Sequence, residues 1–97
     1  MLIEKIGKVA MLEQTAEECT ELAQACLKLA RKYRGENPTP KTEKELIDNF
    51  YEECADVFIC IMELFDSNIM DEDAVEKWAQ YKTERIKERF GIKDNLE

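Results

Sequence analysis

Glu17-Glu18-Cys19-Thr20-Glu21-Leu22 and Glu52-Glu53-Cys54-Ala55-Asp56-Val57 are near copies of one another. Each sets two acids, a cysteine, a spacer, a third acid and an aliphatic in the same order. Both lie in long segments with apolar residues at helical spacing, where residues three apart share nearly one face. Glu18 and Glu21 therefore point one way together, and so do Glu53 and Asp56. The two pairs are also equidistant from Asn37, which falls in the breaker cluster Gly35-Glu36-Asn37-Pro38-Thr39-Pro40. A turn there folds the second helix back antiparallel to the first. Glu18 is then level with Asp56, and Glu21 with Glu53. The chain reads as a helical hairpin with four carboxylates meeting across it.

Outward from the hairpin, the first helix is expected over about 2–34, with a break or kink near Gly7–Val9. Leu22, Cys19, Cys26 and Ala23 define its buried stripe, with Glu18 and Glu21 on one flank. Lys28, Arg31, Lys32 and Arg34 gather in its last turns, where they offset the helix dipole, with phosphate binding as the alternative reading. Gly35 stops the helix, and a loop at 35–41 follows. Thr42 with Glu45 three residues on is a capping-box pattern, opening a second helix over about 42–66. Val57, Cys54, Ile61 and Phe58 define its stripe, with Glu53 and Asp56 on the equivalent flank. Asp71 is an N-cap for a third helix over about 72–90, which Gly91 ends. Trp78, Ile86 and Phe90 mark that helix's buried face, and the tail Lys93–Glu97 reads as frayed. No strand pattern competes. The expectation is an all-α single domain spanning 1–97: an antiparallel hairpin plus a third helix. Such helices leave apolar surface uncovered in a monomer, so a bundle completed by homo-oligomerisation is expected.

The 97 residues are 44% hydrophobic and 37% charged, a composition that supports one folded core. A net charge of −8 argues against nonspecific nucleic-acid binding. No apolar run approaches the roughly 20 residues of a membrane span, and Met1-Leu2-Ile3-Glu4-Lys5 does not read as a signal peptide. A cytoplasmic protein is expected. Histidine is absent, which excludes Ser-His-Asp and Cys-His catalysis and imidazole zinc sites. The four cysteines form no Cys-x-x-Cys pair, and read as buried free thiols.

Facing acids at two levels of a half-buried groove repel one another unless a cation neutralises them. Glu18, Glu21, Glu53 and Asp56 are accordingly candidate metal ligands. Carboxylates without imidazole or thiolate favour a hard cation, Mg²⁺ or Mn²⁺, which commonly shares its shell with phosphates. Glu21 or Glu53 is the candidate to orient or deprotonate a water. Lys82 and Arg85 on the third helix either snorkel to solvent or reach toward the groove as phosphate contacts. Gln14, one turn before Glu18, is a further candidate substrate contact.

Glu17-Glu18-x-x-Glu21 followed by Glu53-x-x-Asp56 resembles the paired motif of the MazG-like, all-α nucleoside triphosphate pyrophosphohydrolases. The ending Lys82-x-x-Arg85-x-x-x-Arg89-Phe90-Gly91 is similar to that family's last helix, so the resemblance covers roughly residues 10–91. It implies Mg²⁺-dependent hydrolysis of a nucleoside triphosphate to the monophosphate and pyrophosphate. It also implies homodimers or dimers of dimers, the four acids as metal ligands, and Lys82 and Arg85 as phosphate contacts. Two alternatives stand beside it. One is an enzyme acting on another nucleotide diphosphate linkage, such as phosphoribosyl-ATP. The other is a non-catalytic dimeric interaction module with an acidic groove.

Overall fold

The computed structural model describes residues 1–36 and 40–93. The order is α1 (Leu2–Arg34), α2 (Glu43–Asp66) and α3 (Glu72–Phe90), with no strand among the described residues. The expected turn at Asn37 and the end of the tail, residues 94–97, lie outside the described residues.

Local chemistry sets the boundaries. Thr42 accepts from the Glu45 N–H at 3.1 Å while the Thr42 N–H donates to Glu45 Oε1 at 2.9 Å, closing the expected capping box. Asp71 accepts from the Ala74 N–H at 3.0 Å, capping α3. Gly35 and Gly91 end α1 and α3 in the left-handed region. Within α1, Gly7 at φ 88° and ψ 167° breaks the helix near the expected place. The turn before it folds over the open end of the hairpin, where the Ile3 N–H donates to Glu63 Oε1 at 3.0 Å.

α1 packs along α2. The buried core is small: Ile3, Met11, Cys60 and Leu64 form one cluster, with Ile69 and Met70 against it, and Ala25 and Leu46 are buried besides. The stripes differ from the expected ones. On α1 the seam runs through Met11, Thr15, Glu18, Leu22, Ala25 and Leu29, while Cys19, Ala23 and Cys26 are exposed. On α2 it runs through Leu46, Phe50, Glu53, Val57, Cys60 and Leu64, while Phe58 is 65% exposed. Each helix carries two apolar rows about 100° apart, and the chain supplies one neighbour for both. Of the four free cysteines, Cys60 alone is fully buried, so the expectation of buried thiols fails for Cys19 and Cys26.

α3 also departs from expectation. None of its residues is buried, and Trp78, Ile86 and Phe90 are 62%, 51% and 68% exposed. The face is amphipathic as read, but among the described residues nothing buries it. The radius of gyration, 17.3 Å, exceeds the roughly 12.5 Å of a compact chain of this length. Among the described residues no helix is long and apolar enough to cross a membrane.

Candidate metal centre

The hairpin register brings the four predicted carboxylates together. Glu18, Glu21, Glu53 and Asp56 each offer an oxygen, and these four atoms lie within 4.8 Å of one another. The pairing across the seam is the one the spacing predicts: Glu18 reaches Asp56, and Glu53 reaches Glu21. Glu18, Glu53 and Asp56 are half-buried and Glu21 is exposed at the rim. The acids therefore sit in and beside the seam rather than outside it, because Glu18 and Glu53 occupy positions that elsewhere along the helices hold Leu22 and Val57.

That placement has an electrostatic consequence. Burial first, then the charges of Glu21 and Asp56, raise the Glu18 carboxyl above its ordinary value, while a hydrogen bond from Gln14 pulls it back. Glu53 is raised in the same way, by burial and then by Glu21 and Asp56. One oxygen of each, Glu18 Oε2 and Glu53 Oε2, is buried without a hydrogen-bond partner. A buried carboxylate oxygen left unpaired is unfavourable.

Gln14 lies on the expected flank, but its Nε2 donates to Glu18 Oε1 at 2.8 Å. It orients a carboxylate, a role that the one-turn spacing allowed but did not single out. Cys60 lies one turn beyond Asp56 on α2. It is a buried thiol held up by burial and by the Glu18 and Asp56 charges, against a hydrogen bond with Thr15. Among the described residues the atoms that converge are carboxylate oxygens alone.

Lys82 and Arg85 are elsewhere. With Trp78, Tyr81, Ile86 and Arg89 they line a depression of about 380 Å³ on α3, which shares no residue with the acidic cluster. Arg85 Nη1 donates to Tyr81 Oη at 3.3 Å and its guanidinium lies 5.8 Å from the Tyr81 ring centroid. Trp78 meets the same ring edge-on at 5.9 Å. This face joins cations to aromatic rings, a surface suited to an anionic or planar group.

An all-oxygen cluster with two unpartnered buried atoms fits a hard divalent cation. No protein-family model matches the chain, and no curated protein or solved structure shows significant similarity to it.

Proposed function

We propose that the chain is a Mg²⁺-dependent nucleotide pyrophosphohydrolase, with Mn²⁺ as the alternative cation, cleaving a nucleoside triphosphate to the monophosphate and pyrophosphate. The observation that carries this reading is the convergence of four carboxylate oxygens within 4.8 Å across a two-helix seam. The resemblance of the paired acidic motif to the MazG-like enzymes supplies the reaction. Glu18, Glu21, Glu53 and Asp56 would hold the ion. When bound, Mg²⁺ neutralises phosphate oxygens and makes a water more acidic.

The chain's own residues do the rest. Gln14 fixes the Glu18 carboxylate, so the groove presents its oxygens in one arrangement before substrate arrives. Glu21 at the rim, or Glu53 beside it, takes the proton of the attacking water. The water oxygen bonds to the α-phosphorus, the bond from that phosphorus to the bridging oxygen breaks, and pyrophosphate leaves with the electron pair. The resemblance supplies Lys82 and Arg85 as phosphate contacts, although their depression on α3 shares no residue with the acidic cluster. The substrate is free nucleotide, the assembly a homodimer or dimer of dimers, and the setting cytoplasmic, without nucleic acid or membrane. A pocket shaped for phosphoribosyl-ATP would run the same chemistry.

The test is release of pyrophosphate and monophosphate from a panel of ribo- and deoxyribonucleoside triphosphates with Mg²⁺. Glu53→Gln should lower the rate by about 10²–10⁴-fold. An unchanged rate would overturn the assignment. One observation favours a second reading, a non-catalytic helical interaction module: all three helices expose large apolar side chains. That reading predicts melting that ignores Mg²⁺.

A further inference from the structure

A chain of net charge −8 repels a polyphosphate, so cations must stand beside the acids if one is to be held there. The depression that Lys82 and Arg85 line shares no residue with the cluster. Helix α1 offers nearer ones. Beyond Gly7 it is regular, and at about 100° per residue Lys28 and Lys32 fall within about 20° of the line through Glu21, one on each side. They lie roughly 10 Å and 16 Å from Glu21 along the axis, toward the turn. Arg31 and Arg34 fall about 80° and 140° off that line, and Arg34 pairs with Glu36 at 2.9 Å.

Both lysines therefore sit on the groove side of the hairpin. By the register that sets 18 level with 56 and 21 level with 53, they stand level with Leu46 and Thr42 of α2. The acids nearby on α2 are engaged: Glu45 accepts from the Thr42 N–H at 2.9 Å, and Asp48 pairs with Lys44 at 2.8 Å. Among the described residues neither Lys28 nor Lys32 joins an ion pair, and Lys32 is half-buried. Like charges one turn apart on a helix repel, and an anion seated between them removes that repulsion. Dipole compensation accounts for Lys32, in the last turn, but it fades within one turn. Lys28 lies farther in.

We propose that Lys28 and Lys32 seat the β- and γ-phosphates of the substrate, Lys28 beside the scissile bond and Lys32 at the terminal phosphate. The inference rests on the hydrolytic reading for the identity of its ligand, and adds the direction in which that ligand lies. Helical side chains lean toward the N-terminus, so the flexible stem of Lys28 carries its ammonium back toward Glu21. With the α-phosphorus at the four acids, the rest of the triphosphate runs along α1 toward the turn. In the opposite direction the same strip carries Gln14 and Ala10, both uncharged, so the sugar and base lie toward the open end. Negative charge that develops on the bridging oxygen as its bond to the α-phosphorus breaks is met by Lys28.

Isothermal titration of inorganic pyrophosphate into the full chain with Mg²⁺ reads this site without turnover. Lys28→Gln should weaken pyrophosphate about 10-fold or more, Lys28→Arg should keep most of the affinity, and Arg31→Gln should match the native chain. Mg²⁺ affinity without pyrophosphate should not fall in any of them, which separates a phosphate contact from a structural role. Pyrophosphate bound as tightly by Lys28→Gln as by the native chain would overturn the proposal. An equal loss in Arg31→Gln would overturn it too, leaving diffuse charge as the cause, and so would a native chain that binds no pyrophosphate. Triphosphate hydrolysis by Lys28→Gln at native kcat and KM would remove the leaving-group contact and leave the hydrolytic reading intact. Pyrophosphate held through Lys28 by a chain that hydrolyses no triphosphate would instead remove the reaction and keep the lysines as an oligophosphate site.

Discussion

Adding Mg²⁺ to the metal-free protein should raise its melting temperature, and by an amount that depends on pH in a definite direction. A ligand that binds only the folded chain, at ten times its dissociation constant, multiplies the folded-to-unfolded ratio about eleven-fold. For a domain of about 100 residues this corresponds to roughly 6–11 °C. Glu18 and Glu53 are raised in the folded state by burial and by neighbouring acids. A carboxyl raised on folding contributes stability that is fully present below its unfolded value and lost as pH rises through its folded value. Metal-free protein should therefore lose stability from these two groups as pH climbs from about 4.5 toward neutrality. The Mg²⁺ increment should run the other way, small where protons hold Glu18 and Glu53 and full above their folded values. Differential scanning fluorimetry from pH 5 to 8, with and without Mg²⁺, measures both slopes. Glu53→Gln supplies the control: more stable than the native chain without metal at neutral pH, and nearly indifferent to Mg²⁺. A melting temperature that ignores Mg²⁺ across this range would refute the reasoning, as would a shift retained by Glu53→Gln.

Two further outcomes follow from single side chains. Gln14→Ala removes the donor that lowers Glu18. Mg²⁺ affinity, measured by isothermal titration, should fall more near pH 6 than near pH 8, and equal losses would make Gln14 a packing residue only. Met11 is fully buried in the Ile3, Cys60 and Leu64 cluster. Met11→Ala should cost about 2–5 kcal/mol in urea unfolding, and a loss under about 1 kcal/mol would show that the core collapses around the gap.

Helix ends were legible because they are written in local chemistry. Thr42 with Glu45, Asp71, Gly35 and Gly91 each satisfy backbone groups within a turn of themselves. The carboxylate register was legible for a different reason: equal distances from one breaker cluster determine height across a hairpin. What the chain did not reveal is which of two apolar rows a helix buries. Cys19, Ala23 and Cys26 are as apolar as Met11, Leu22 and Ala25, and only the neighbour decides between them. The same holds for α3, where Trp78, Ile86 and Phe90 announce a face to be covered without saying whose surface covers it. The Glu63 cap on Ile3 spans 60 positions, and no spacing rule reaches that far.

The Gly7 break and the Glu63 cap give the hairpin an order of closure. Contacts nearest the turn close the shortest loops, and loop-closure entropy grows only slowly as each further pair is added outward. The carboxylate levels, 32 and 38 residues apart along the chain, close midway. The junction of Ile3 with Glu63 is the farthest pair and closes last. The same ranking governs transient opening, so backbone amides around Leu2–Ile6 should exchange their hydrogens well before those around Glu18 and Glu53. The molecule unzips from the end that Gly7 folds over, and the acidic groove keeps its shape while that end breathes.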